Sequence, residues 1–85
     1  MRSTQTSVGT TATLLISAST VNRVALIHSI SNTTIYLGGS TVTTSTGFIF
    51  EKDDGALSVA VPAGETLYGI VETGTETVSV LLPNS

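Results

Sequence analysis

The sequence predicts an all-β domain: a small antiparallel β-sandwich or partly closed barrel of about seven strands, with no helices. Three observations predict it. Short runs rich in Val, Ile, Leu and Thr are separated by Gly, Pro, Asn or Asp at roughly the 8–12-residue spacing of sandwich strands. Several runs alternate apolar and polar residues, as a half-buried strand does. No stretch carries the i, i+3, i+4, i+7 pattern of an amphipathic helix, and strong helix formers are scarce.

The strands follow in chain order. Met1 to Ser7 is polar with no core pattern and reads as a flexible N-terminal arm, which leaves residues 8–85 as the sandwich domain. Such an arm is suited to adding to a neighbour's sheet edge, so Arg2, Ser3, Thr4, Gln5, Thr6 and Ser7 are candidate contacts to another subunit in an assembly. Thr11 to Ser17 alternates, with Ala12, Leu14 and Ile16 expected inward and Leu15 the odd apolar residue outside.

The central stretch runs from Val24 to Gly39. It reads as two antiparallel strands around the turn Ser31-Asn32-Thr33-Thr34. Val24 to Ile30 is almost continuously apolar, the pattern of a strand covered on both faces, and either face suits the core. Gly38-Gly39 ends the second strand. In the polar loop Ser40 to Gly47, Val42 is expected to plug the core.

Phe48-Ile49-Phe50 is a short strand with both rings on one face, and Glu51 to Gly55 a charged turn. Leu57, Val59 and Val61 alternate inward. Pro62 to Glu65 is a turn, followed by a strand at Thr66 to Val71. Glu72 to Glu76 reads as a hairpin loop. Val78, Val80 and Leu82 complete the core before Pro83 ends the last strand.

Composition limits what the domain can do. With 85 residues it buries only roughly 60–65% of its unfolded surface, so its stability alone is modest. It has no cysteine and one histidine, which excludes disulfides and thiolate metal sites. Association with other chains is the remaining supplement. Three Lys and Arg against six Asp and Glu cannot furnish a nucleic-acid surface. Apolar runs such as Leu14-Leu15-Ile16 are far short of the ~20 residues of a membrane span. No apolar h-region opens the chain, so it is expected to be made in the cytoplasm. Sixteen Thr and 11 Ser keep the surface soluble without charge, so few ions would be desolvated beneath a neighbouring subunit.

No catalytic constellation emerges. His28 has no nucleophile or carboxylate tied to it by spacing, and a strand histidine bonded to backbone is the simpler reading. Glu51, Asp53 and Asp54 lack the alternation of a calcium loop. Gly38-Gly39-Ser40-Thr41 lacks the lysine and helix of a phosphate loop. Asn32-Thr33-Thr34 fits a glycosylation sequon, but no signal peptide gives it access. The aromatics Tyr36, Tyr68, Phe48 and Phe50 suit core and rim; as surface residues, Tyr36 and Tyr68 would be the candidates for stacking on a sugar. Hence no catalytic, cofactor-binding or metal residues are assigned, and an enzyme is the least favoured class.

Two segments resemble a recurrent small β-domain of tailed-bacteriophage virion proteins. The first comprises Arg23, Asn32, Ile35-Tyr36-Leu37-Gly38-Gly39, Val42-Thr43-Thr44 and Gly47. The second runs Pro62-Ala63-Gly64-Glu65-Thr66-Leu67-Tyr68-Gly69-Ile70, then Gly74-Thr75 and Val78-Ser79-Val80-Leu81. The resemblance spans Val8 to Leu82 and consists of turn and core residues. It departs from the family pattern at Ile30-Ser31, where a polar residue usually precedes the turn. It implies a capsid decoration protein on the virion surface that partners the major capsid protein and itself as a homotrimer, with Arg2 to Ser7 as the candidate contact to the capsid; no cofactor, nucleic-acid or membrane partner is expected. Alternatives are a tail, fibre or head–tail component, or a carbohydrate- or host-binding module using Tyr36 and Tyr68.

Overall fold

Strand propensity and period-two patterning produce an all-β chain. The computed structural model describes residues 2–29, 33–51 and 55–83. Among these are eight strands: β1 (Arg2–Val8), β2 (Thr13–Ile16), β3 (Arg23–Ser29), β4 (Ile35–Gly38), β5 (Phe48–Phe50), β6 (Leu57–Val61), β7 (Leu67–Val71) and β8 (Glu76–Leu82). They form two four-stranded antiparallel sheets, β1-β8-β3-β6 (sheet A) and β2-β7-β4-β5 (sheet B). This strand order is that of a jelly roll, in which successive strands pass between two packed sheets.

The order corrects two expectations. Val24 to Gly39 is not a hairpin: β3 lies in sheet A and β4 in sheet B. Likewise the Glu72–Glu76 loop carries the chain between sheets, from β7 to β8, and does not fold one strand back on its neighbour. A polar or glycine-bearing turn reverses the chain direction in both cases, and a crossing between sheets needs the same reversal as a hairpin. Of the consecutive pairs, β4 and β5 are hydrogen-bonded neighbours. Ile30, Ser31, Asn32, Lys52, Asp53 and Asp54 lie outside the described residues, and with them the turn at Asn32, its sequon and the acidic-turn reading.

The N-terminal segment is also corrected. Arg2 to Ser7, expected as an arm, is part of β1, paired with β8 without a break from Arg2↔Leu82 to Val8↔Glu76. Its Ser, Thr and Gln side chains hide its strand character from any apolar pattern. The backbone ladder to β8 supplies the order.

The core lies between the sheets. Val8, Ile16, Ile27, Ile35, Phe50, Val71, Val78 and Val80 are its almost fully buried side chains. In β3, Ala25 and Ile27 face the core while Val24 and Leu26 face out. Leu57, Val59 and Val61 turn inward as expected, the first two only half-buried. In β2 the expected assignment is reversed for one pair: Leu15 is buried and Leu14 is exposed. The register shifts between Leu14 and Ile16, and such a bulge turns two successive side chains the same way. Gly69 makes room for this, since an added Cβ there would meet Leu15 Cδ1 at 3.1 Å and Ile35 Cγ2 at 3.5 Å.

Loops close one end of the sandwich. Pro62 to Glu65 forms the expected turn, with the Glu65 N–H donating to Pro62 O at 3.0 Å and Gly64 at φ +84°. The Gly64 N–H donates to Ser19 O and the Ala63 N–H to Asn22 Oδ1, both at 2.8 Å. The neighbouring Arg23 is buried, and its Nη2 donates to Ser17 O at 2.7 Å. At the opposite end the Val71 N–H donates to Gly9 O at 3.0 Å. The accessible surface is 4770 Å², against the roughly 12,600 Å² of an unfolded chain of this mass, so about 62% is buried. That is a small core with little stability to spare.

Candidate interaction surfaces

Sheet A presents a face without formal charge. Cross-strand pairing sets Ser3, Leu81, Leu26 and Ser58 in one row across all four strands, and Gln5, Ser79 and His28 in the next. None of the side chains that alternation turns outward from this sheet is Asp, Glu, Lys or Arg. The face holds a shallow depression of about 360 Å³ whose walls include Gln5, Leu26, His28 and Leu81. Val24 is 60% and Leu26 43% exposed. The near-continuous apolar run of β3 is therefore covered on its inner side by the core and open on its outer side.

A second apolar surface lies where β5 and β6 edge the two sheets. Phe48 pairs with Leu37 and has the inward parity of Phe50. Phe50 is fully buried, whereas Phe48 is 64% exposed. The sandwich is open on this side, with a slot of about 310 Å³ lined by Leu37, Phe48, Leu57, Val59 and Leu67 among others. The expectation that both rings share a face holds for direction; only one of them reaches the core.

Tyr36 and Tyr68 share the outer face of sheet B. Tyr36 pairs with Ile70, and Tyr68 with Gly38, which makes the two tyrosines diagonal neighbours on adjacent strands. Both are half-buried. The loop between β4 and β5 packs on this side. Val42 is buried there, its Cγ2 2.8 Å from where a Cβ on Gly38 would lie. Val42 therefore plugs the outer face of sheet B and stands apart from the core between the sheets. The loop is held by its own hydroxyls and backbone: Thr43 and Thr46 Oγ1 lie 3.0 Å apart, and the Gly47 N–H donates to the Thr43 carbonyl at 2.9 Å.

Of the N-terminal candidates, Arg2 through Gln5 and Ser7 are exposed and Thr6 is half-buried. Ser3, Gln5 and Ser7 lie on the outer face of sheet A, and Arg2, Thr4 and Thr6 on its inner side. His28 is half-buried in the polar row opposite Ser79. Among the described residues, no group of three or more His, Asp and Glu side chains is placed to hold a metal ion. No helix is long and apolar enough to cross a membrane among these residues. The slot at Phe48 escapes sequence reasoning because its exposure depends on which strands end each sheet; on β3, an inner strand, the two-sided apolar pattern is the available signal but does not choose the open face.

Comparison with protein-family models, with curated proteins and with solved structures finds no match to this chain.

Proposed function

We propose that this chain is a structural protein of a bacteriophage virion: a capsid decoration protein that binds the major capsid protein and stabilises the assembled head as a homotrimer. The observation that carries the reading is β3. Its sequence is apolar enough for cover on both faces, yet within one chain Val24 and Leu26 remain open to solvent. A small sandwich with unspent apolar surface and few charges suits a particle component, because covering that surface desolvates few ions. The resemblance to phage virion domains from Val8 to Leu82 supports the same reading, and jelly rolls recur in viral capsids. Fold alone does not assign a role, since lectin domains share the architecture.

The proposed action is additive and non-catalytic. Each copy contributes a modest contact, and an oligomer that engages several capsomers at once turns weak contacts into lasting occupancy. Shells so bridged resist heat and osmotic rupture better than bare shells. The test is co-sedimentation of the purified chain with empty shells of the phage whose genome carries this sequence. Saturable binding and a higher shell-rupture temperature are expected. Absence of binding to the mature shell overturns the reading.

A carbohydrate-binding reading has one favourable observation, the two tyrosines on one face of sheet B. A glycan array together with Tyr68→Ala separates the two: retention on a glycan that Tyr68→Ala abolishes would support the module over the decoration protein.

A further inference from the structure

We infer that copies of this chain join head to tail through the two edges of sheet A, β1 of one copy adding to β6 of the next. The inference rests on the self-association put forward above and is independent of the capsid.

Exposed strand edges invite pairing with other chains, and proteins blunt them with shortness, bulges, proline or inward-pointing charge. The two sheets differ in this respect. In sheet B, β5 has three residues and β2 carries a register shift, so both edges are guarded. In sheet A, β1 keeps seven consecutive pairs with β8 and β6 keeps five with β3, neither with a shift. Neither strand contains proline, and the one charge in either, Arg2, points inward only at the first position of β1, which leaves Ser3 to Val8 without such a guard. Both edges of one sheet are left ready to pair.

Their geometry selects the partner. The antiparallel order β1-β8-β3-β6 makes β1 and β6 run in opposite directions. A β1 strand from a second copy therefore continues the sheet antiparallel beside β6. Pairing like with like, β6 on β6, would leave an unguarded β1 edge on each copy. Head-to-tail pairing uses both edges, and a ring leaves none open. Side chains agree with this choice. Thr4 and Thr6, on the inner side of β1, would come over the slot beside Leu57 and Val59 and cover Phe48. Arg2 pairs with Leu82, and Arg23 with Val61, so the Arg2 end of β1 is the end at which β6 runs into Glu65. Arg2 of one copy thereby approaches Glu65 of the next. Closure with the outer face of sheet A turned toward the axis would bring the exposed Val24 and Leu26 of the copies together there.

The test uses the purified chain alone, which has no native cysteine to interfere. Native mass spectrometry at tens of micromolar is expected to give one closed species, a trimer. Thr4→Lys, at an exposed position of β1, is expected to give a folded monomer with an unchanged far-UV spectrum, whereas Leu14→Lys on the guarded edge of sheet B leaves the mass unchanged. Ser3 and Ser58 share a cross-strand row. Mixing Ser3→Cys with Ser58→Cys chains under oxidation is expected to yield a disulfide between unlike chains. A monomeric native chain, or cross-links between like chains alone, overturns the inference. A closed ring of another size with the Ser3–Ser58 cross-link supports the edge contact and overturns the trimer. Failure to bind shells bears on the decoration reading and leaves the edge contact standing.

Discussion

A Cβ placed on Gly47 would lie 2.5 Å from the Cβ of Tyr36. The β4–β5 loop thus returns to sheet B at a point where backbone, not side chain, meets the tyrosine. The same hypothetical Cβ falls 3.0 Å from Val42 Cγ2 and 3.1 Å from Thr43 O. Gly47→Ala is expected to overpack the site and cost about 1–3 kcal/mol in urea unfolding. Gly39→Ala, with nothing within 4 Å of the added carbon and no positive φ, is the control and should change stability by less than about 0.5 kcal/mol.

Gly64 isolates conformational strain from crowding. Its φ is +84°, and open space surrounds the position where a Cβ would lie. Gly64→Ala should therefore cost about 1–2 kcal/mol through backbone conformation alone. For a domain of this size, thermal unfolding should then fall by roughly 4–8 °C per kcal/mol. An unchanged midpoint would show that the turn adopts another conformation.

Leu14 and Leu15 test the bulge in β2. Leu15 is 7% and Leu14 44% exposed. Leu15→Ala is expected to cost about 2–5 kcal/mol, and Leu14→Ala well under half of that. The opposite ranking would restore strict alternation through Ala12, Leu14 and Ile16 and remove the register shift.

The same pair marks the limit of legibility in the sequence. Alternation read Val78, Val80 and Leu82 as core because β8 is a central strand with regular pairing to β1 and β3. In β2 one inserted residue reverses the assignment, and three adjacent apolar residues, Leu14-Leu15-Ile16, give no hint of where the insertion falls. The Pro62–Glu65 turn was legible because proline and glycine each prescribe their own φ. Whether a turn returns the chain within a sheet or across to the other is decided by packing of distant strands, which kept the β3-to-β4 crossing out of reach. β1 escapes local pattern because its order comes from β8, distant in sequence: Thr6 pairs with Val78, 72 residues further along the chain. The open surfaces at Val24, Leu26 and Phe48 follow from this topology and not from local pattern.

Arg23 is a buried cation whose Nη2 donates to Ser17 O, while its Nε has no partner among the described residues. Its interaction with the β2–β3 loop is offset by the desolvation of the guanidinium. Arg23→Met keeps the aliphatic packing and relieves that cost, so it should change stability by no more than about 1 kcal/mol. Arg23→Ala also leaves a void and should cost about 2–3 kcal/mol. Equilibrium unfolding of both variants checks the ranking.

Association through strand edges rests on backbone hydrogen bonds and apolar cover, with one exposed Arg2–Glu65 pair. An exposed pair contributes about 0–1 kcal/mol, so raising salt from low to high should weaken association by no more than about fivefold. Analytical ultracentrifugation across a salt series checks it. A much steeper dependence would assign the contact to the charged loops.

The most direct measurement of the proposed role is a density map of the virion whose genome carries this sequence. The account predicts eight-stranded sandwiches on the outer surface of the head, grouped in threes, with sheet A continuous from one copy to the next. Heads bare of this density, or the chain found instead in the tail, would contradict it.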